Sequence, residues 1–148
     1  MGEHMGLIRL HERPPLTVAP EDTVLQAARA MTERRVGAAT VVDGTGVLGV
    51  VTERDVLQKI VAAGATPGDI RVRDIMSSPA LSVGINTSVA AATAIMRKHH
   101  IRHLVVLDDH GALVGMIALR YLLYELMDDM ERALGDLRGY IMTDGPGG

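Results

Sequence analysis

The sequence lacks several residue types on which common protein functions depend. None of its 148 residues is cysteine, phenylalanine or tryptophan, and its only aromatic residues are Tyr121, Tyr124 and Tyr140. The absence of cysteine excludes disulfides, thiol nucleophiles and cysteine metal ligands. The shortage of rings means that a core must be built from aliphatic side chains and methionine, and that base recognition cannot rest on phenylalanine or tryptophan stacking.

Charge and hydropathy exclude further classes. Fifteen basic and 18 acidic residues give a formal net charge of −3, which does not favour a nucleic acid or an anionic membrane as partner. No apolar run approaches the roughly 18 residues of a membrane-spanning helix, and no basic segment followed by an apolar one marks the N-terminus. We therefore expect a cytoplasmic protein that binds neither membrane nor nucleic acid.

An internal repeat organises the chain. Leu16-Thr17-Val18 aligns with Leu81-Ser82-Val83 at an offset of 81 − 16 = 65 residues, and past the hairpin turn the offset becomes 115 − 49 = 66. An insertion confined to a turn is what two copies of one fold should show. Within this register, the apolar positions Val24, Ala27, Met31 and Val41 recur as Val89, Ala92, Met96 and Val106.

Each copy predicts the order β-α-β-β-α. Cap-rich segments at 21–23 and 86–88 precede helices with apolar residues three and four apart. Two β-branched runs around a Gly/Asp turn predict a hairpin in each copy, at 36–42 with 47–51 and at 101–107 with 113–117. A second helix follows each hairpin, over Asp55 to Ala63 and from about Leu119 onward.

The predicted fold class is therefore α/β of the α+β type, with two pseudo-symmetric motifs packed as one pair. One copy alone would be marginal in size, so the two should share a core with a cleft along their axis. We expect an N-terminal segment at 1–13, a first motif at 14–68, a second at 69–126, and a helical tail at 127–148 that ends in a disordered stretch from Thr143.

Three segments carry a resemblance to a known family. Gly49-Val50-Val51-Thr52-Glu53-Arg54-Asp55, the segment Val72-Arg73-Asp74-Ile75-Met76, and Ile101 to Asp108 stand in the order and spacing of a tandem cystathionine β-synthase (CBS) domain pair, which the chain resembles over about residues 14–126. The resemblance implies a regulator rather than an enzyme, with no required cofactor. It implies a ligand such as AMP, ADP, ATP or S-adenosylmethionine, a homodimer, and an unknown protein target in trans.

Thr52 and Asp55 allow two interpretations. Thr-x-x-acid at the start of a helix is a capping box. The resemblance implies that the same residues bind the ribose and phosphate of a ligand, and one pair can serve both roles. The second copy has Ala118 and Tyr121 at these positions. Since only one copy keeps the polar pair, we expect one competent ligand site and one degenerate site, which Tyr121 could block.

The resemblance implies the residues of the competent site. Aliphatic side chains such as Val51, Ile75 and Ile101 would hold an adenine, and Arg102 and His103 would meet phosphate. On the degenerate side, residues 11–15 do not match the family's segment. The full set expected at the competent site is Val51, Thr52, Arg54, Asp55, Asp74, Ile75, Met76, Ile101, Arg102 and His103.

Other functions are less favoured by the residues. His99 and His103 stand four apart without supporting ligands, so we expect no metal site, although a metal-binding or purely structural CBS protein remains an alternative. A catalytic function needs a nucleophile with an oriented base, or paired acids in a pocket, and no such arrangement is evident.

The tail carries its own pattern. Leu123, Met127, Met130, Leu134, Leu137 and Ile141 follow steps of four and three, which is typical of a coiled-coil seam. Such a helix could fold back over the core of the pair, or it could contact a second copy or another partner.

Overall fold

The computed structural model describes residues 14–144, and the side chains of residues 14–137. Two three-stranded sheets organise this part of the chain, each with one parallel and one antiparallel neighbour pair. The first motif contains β1 (Thr17–Val18), α1 (Val24–Arg34), β2 (Ala38–Asp43), β3 (Gly46–Thr52) and α2 (Glu53–Val56), which continues as a π-helical segment (Leu57–Val61). Helix α3 (Val72–Ile75) lies in the segment between the motifs, and the second motif contains β4 (Ser82–Gly84), α4 (Val89–His99), β5 (His103–Leu107), β6 (Leu113–Ala118) and α5 (Leu119–Asp144).

The two motifs repeat each other in detail, which confirms the predicted α+β fold of two β-α-β-β-α units. The hairpins pair in the same register, Ala38 with Thr52 and His103 with Ala118, and each has an irregularity at the equivalent position. Helices α1 and α4 both end at a left-handed residue, Arg35 at φ 55° and His100 at φ 54°. Because 35 and 100 differ by the repeat offset of 65, the chain reverses in the same way in both copies.

Local signals explain where the helices begin. The Thr23 hydroxyl oxygen accepts a hydrogen bond from the Gln26 backbone amide, and the Gln26 side-chain oxygen accepts one from the Thr23 backbone amide. Ser88 caps α4 through the Ala91 amide. Such side chains satisfy amide groups that the first turn of a helix leaves without partners.

Several boundaries differ from the sequence expectation. The hairpins begin at Ala38 and His103 rather than at residues 36 and 101, because the left-handed turns occupy the residues before them. The second helix begins at Glu53, two residues earlier than expected, because its N-cap is Thr52. Helix α5 continues through Asp144, so Thr143 and Asp144 are helical rather than disordered. Residues 145–148 of the predicted disordered end, and the segment 1–13, lie outside the described residues.

Three groups of apolar side chains hold the molecule together. One lies within each motif, around Val24, Val41 and Val72 in the first and around Met96, Leu104 and Leu122 in the second. The third joins the two motifs. Its buried members are Ala38, Val50 and Val105, and the partly buried residues Val47, Ala80, Leu107, Leu113 and Met116 surround them.

The segment between the motifs is fastened to the first one. Ser77 exchanges two backbone hydrogen bonds with Val50 at 2.9 and 3.0 Å, and the amides of Val72 and Arg73 donate to the carbonyls of Asp22 and Pro20. This brings residues 72–77 against the first motif, close to the start of α2. None of the described helices is both long and apolar enough to cross a membrane.

Gly49 permits the close contact between β3 and this segment. A Cβ placed on Gly49 would lie 2.4 Å from the Ser77 carbonyl oxygen. We expect Gly49→Ala to lower the free energy of unfolding by about 1–3 kcal/mol, since backbone must move to accept the methyl group. Urea unfolding measures the change, and Gly44→Ala in the same hairpin, where no atom lies within 4 Å, is the matched control. Equal effects of the two substitutions would contradict the contact.

Among the described residues, Thr40 places a hydroxyl without a hydrogen-bond partner inside the first sheet, and the second motif has an apolar residue at the equivalent position. The Thr40 side chain is fully buried, and within the described structure its hydroxyl has no hydrogen-bond partner. The equivalent position of the second motif, at the offset of 65, is Val105. We expect Thr40→Val, of nearly the same shape, to raise the free energy of unfolding by about 1 kcal/mol. A loss of stability in the same urea experiment would show that the hydroxyl is satisfied.

Candidate functional site

Asp55, in the first turn of α2, is largely buried and hydrogen-bonded within the chain. Its carboxylate Oδ2 accepts hydrogen bonds from the Thr52 amide at 2.9 Å and the Thr52 hydroxyl at 3.1 Å, and the Asp55 amide donates to that hydroxyl at 3.1 Å. The Asp55 side chain is 11% exposed. The two residues form the capping box that the sequence suggested, and their ligand-binding role stays a prediction.

Lys59 joins Asp55 to the segment between the motifs, and sequence reasoning missed it. Its Nζ lies 3.3 Å from Asp55 Oδ1 and donates a 2.7 Å hydrogen bond to the Ile75 carbonyl. Its position four residues after Asp55 on the same predicted helix could have indicated an ion pair between the two side chains. Asp55 and Ile75 are therefore close, as the resemblance implied. However, both carboxylate oxygens of Asp55 already have partners within the chain.

The other residues expected around Asp55 are divided between core and surface. The Val51 and Ile75 side chains lie in the core of the first motif, so their burial does not support direct contact with a ligand. Met76 is half-buried against that core, and Ile101 is half-buried against the core of the second motif. Arg54 and Asp74 are exposed.

A large open cleft lies between the motifs, and it reaches the side that was expected to be degenerate. Its volume is about 1140 Å³. Both motifs contribute to its walls, the first through residues 14–16, the end of α1 and the start of α2, and the second through β5, β6 and the start of α5. Polar and aromatic residues on these walls are Arg34, Arg35, Glu53, Arg102, His103, Arg120, Tyr121, Tyr124 and Glu125.

The structure groups the predicted site residues differently from the sequence analysis. Arg102 and His103 line the same cleft as Ala118 and Tyr121, whereas Asp55 is not among the lining residues. Tyr121 lines the cleft, and whether it blocks a ligand there stays a prediction. The residue is 45% exposed, and its ring makes a T-shaped contact with Tyr124, at 6.4 Å between centroids, and lies 5.4 Å from the Arg120 guanidinium.

Equivalent backbone contacts build the two sides of the cleft. The Glu53 amide donates to the Gly37 carbonyl at 2.9 Å, and the Leu119 amide donates to the Arg102 carbonyl at 2.8 Å. Each bond ties the start of a hairpin to the first residue of the following helix. Gly37 leaves room for the Glu53 carboxylate, whose Oε1 would be only 3.1 Å from a Cβ at that position.

His103 is the titratable group most affected by the cleft. Burial lowers its pKa from the ordinary value of 6.5, and the nearby Glu53 carboxylate raises it in part, whereas Arg120 and Arg102 lower it further. Burial and the two arginines disfavour a second positive charge. The imidazole is therefore neutral at neutral pH.

Three arginines are among the cleft residues that sequence reasoning missed. Arg34, Arg35 and Arg120 join the expected Arg102, and together they outnumber the two carboxylates Glu53 and Glu125. Arg34 also donates a hydrogen bond to the Pro14 carbonyl. Their joint position depends on the packing of the two motifs, so spacing along the chain gave no signal. The described residues contain no group of three histidine, aspartate or glutamate side chains arranged to hold a metal ion.

Solved structures with this architecture are CBS domain proteins. One from Burkholderia ambifaria has a TM-score of 0.77 at 35% sequence identity and covers 84% of this chain and 93% of its own. A CBS domain protein from Pyrobaculum aerophilum, complexed with AMP, has a TM-score of 0.74 at 30% identity and covers 83% of this chain and 98% of its own.

Sequence comparison gives the same family. An uncharacterised protein of Methanopyrus kandleri is 33% identical over 112 residues, which are 75% of this chain and 57% of that protein. An inosine-5'-monophosphate dehydrogenase of Korarchaeum cryptofilum is also 33% identical over 112 residues, which are 22% of that enzyme. The CBS domain family model matches twice, over residues 8–62 and 72–128. With both motifs matched and the paired fold present, this chain belongs to the CBS domain family.

Proposed function

We propose that this chain is a regulatory module that binds an adenine nucleotide or a related adenosyl ligand in the cleft between its motifs and acts on a partner protein in trans. The observation that carries the proposal is the open cationic cleft shared by the two motifs. In this proposal the chain is not an enzyme, needs no cofactor and is cytoplasmic, and it works as a homodimer.

The charge of the cleft suits phosphate. Four arginines and two glutamates line it, and guanidinium groups bind phosphate oxygens through paired, charge-assisted hydrogen bonds. Arg102 is exposed and immediately precedes β5. His103 beside it would gain a proton more easily when phosphate is bound, because the added negative charge raises the pKa of an imidazole.

The remaining walls suit a nucleoside. Val36, Val56 and Met116 offer aliphatic surface, and Tyr121 and Tyr124 offer exposed rings on which a base can stack. The Glu53 carboxylate lies in the same cleft and can accept two hydrogen bonds from a ribose diol. These features support a ligand at the Tyr121 side rather than beside Asp55, whose carboxylate is occupied by Thr52 and Lys59. The AMP bound to the Pyrobaculum aerophilum relative supports the ligand class.

A purely structural CBS pair is the second candidate. Its support is the capping box of Thr52 and Asp55, which gives the one retained polar pair a role in folding without any ligand. The two candidates differ in whether an adenosyl compound raises the unfolding temperature.

Ligand-induced thermal shift separates these functions. At a concentration 100 times its Kd, a ligand adds about 2.7 kcal/mol of stability, which corresponds to about 5–10 °C in a chain of this size. We expect such a shift with one or more of AMP, ADP, ATP, S-adenosylmethionine and NADH. If none of the five compounds raises the unfolding temperature, the purely structural function is favoured instead.

Paired variants locate the ligand. Arg102→Gln should weaken binding about 10- to 100-fold, the effect of losing a hydrogen bond between charged groups. The control is Arg97→Gln, in the same basic run but outside the cleft. Asp55→Ala should lower the unfolding temperature of the free protein, since it removes a cap, yet keep the ligand-induced shift. Loss of that shift in Asp55→Ala, with retention in Arg102→Gln, would place the ligand beside Asp55.

His103 gives the free protein a defined pH dependence. Because the folded-state pKa of His103 lies below that of the unfolded chain, the unfolded chain binds the proton more readily, and stability is lost as the pH falls from about 6.5 toward the folded-state value. We expect urea unfolding at pH 7.5 and 5.5 to show a smaller loss in His103→Gln than in the wild type. An NMR titration should find the His103 pKa below 6.5 and higher in Arg102→Gln. A value at or above 6.5 in the wild type would contradict the site.

A further inference from the structure

Lys59 fills a point on which two hydrogen-bond acceptors converge. Its Nζ lies 3.3 Å from Asp55 Oδ1 and 2.7 Å from the Ile75 carbonyl oxygen. One acceptor belongs to α2, and the other belongs to α3 in the segment between the motifs. A single ammonium group therefore supplies donors to two oxygens from different parts of the chain.

Lysine is a rare residue in this chain. Of the 15 basic residues, 13 are arginine, and Lys59 and Lys98 are the two lysines. An ammonium group is a compact point charge with rotatable donors, whereas a guanidinium is a planar fork that suits paired oxygens of one carboxylate or phosphate. The compact group suits a point at which two separate acceptors meet.

The second motif shows the equivalent place without a lysine. At the offset of 66 residues that holds after the hairpin turn, Asp55 corresponds to Tyr121 and Lys59 to Glu125. Tyr121 and Glu125 line the open cleft, whereas Asp55 and Lys59 do not. The place with the lysine is thus filled by a contact within the chain, and the place without it is open.

The Lys59 contact can open without disturbing Asp55. The Lys59 side chain is 44% exposed and the Asp55 side chain is 11% exposed. An ion pair that solvent reaches is weak, so the hydrogen bond to the Ile75 carbonyl is the stronger part of the contact. When the lysine side chain turns into solvent, the Thr52 capping box still holds the Asp55 carboxylate in place.

We propose that Lys59 is an autoinhibitory residue, whose ammonium group occupies a second ligand position between Asp55 and Ile75 and keeps it closed. A competing ligand needs two neighbouring O–H or N–H donors, and the vicinal diol of a ribose has them. The ligand class rests on the proposed function, whereas the closed position rests on the lysine contact. Since the ligand must displace one charged hydrogen bond, Lys59 should weaken binding at this position about 10-fold.

Isothermal titration calorimetry with AMP counts the ligand positions. The wild type should bind one equivalent tightly, in the cleft, and Lys59→Met should bind a second equivalent with about 10-fold higher affinity than the wild type has at this position. Lys98→Met removes the other lysine, which does not line the cleft, and should titrate like the wild type. In Lys59→Met combined with Arg102→Gln, the one tight position should be that beside Asp55.

The outcomes separate this inference from the proposed function. One equivalent in both the wild type and Lys59→Met, or a second equivalent in Lys98→Met, would overturn the autoinhibitory role and leave the cleft ligand in place. An equivalent bound by Lys59→Met and absent from the wild type would support the role of Lys59 and contradict binding in the cleft. No AMP bound by either protein would overturn both.

Acetylation of the two lysines tests the contact in the unaltered chain. With acetic anhydride and peptide mass spectrometry, Lys59 should react more slowly than the exposed Lys98 in the free protein, because its ammonium group is engaged. AMP should raise the rate at Lys59, as the side chain is displaced, and leave the rate at Lys98 unchanged. Equal rates at the two lysines, or no effect of AMP at Lys59, would overturn the proposal. Circular dichroism should show that Lys59→Met is folded.

Discussion

The packing of the two sheets on each other is the interaction on which the rest of the molecule depends. Ala38 and Val50 from the first motif meet Val105 from the second in a cluster that neither motif can form alone. Each motif has a small core, and burial of apolar area is the main force that stabilises a domain of this size. The same contact sets the distance between the two motifs, and so it creates the cleft that both of them line.

The near-symmetry of the pair makes its differences informative. Equivalent backbone bonds tie each hairpin to the helix that follows it, but one helix begins with the Thr52–Asp55 capping box and the other with Ala118 and Tyr121. The polar pair is engaged with its own helix and with Lys59. The side without it has the open cleft, the arginines and the exposed rings. Ala118 and Tyr121, which replace the capping pair, line the open cleft, whereas Thr52 and Asp55 do not.

Much of the fold could be predicted because it rests on local patterns repeated twice. The β-branched runs, the capping residues and the offset of 65 gave the order of the elements, and the segments at 49–55, 72–76 and 101–108 gave the resemblance to the family. The extent of α5 and the start of the hairpins could not be read from the residues, because they depend on left-handed turns at Arg35 and His100 and on where Leu122 is buried. The candidate site was predictable only in part. Arg102 and His103 were found through the resemblance, whereas Arg34, Arg35 and Arg120 meet them only after the motifs pack.

We propose that the cleft between the motifs binds an adenosyl ligand at the side of Arg102 and Tyr121. A crystal structure of the protein grown with AMP tests it most directly. The account predicts AMP density in the cleft, with phosphate oxygens at Arg102 and the base beside Tyr121 or Tyr124. Density beside Asp55 alone, or no density between the motifs at a saturating concentration of AMP, would contradict it.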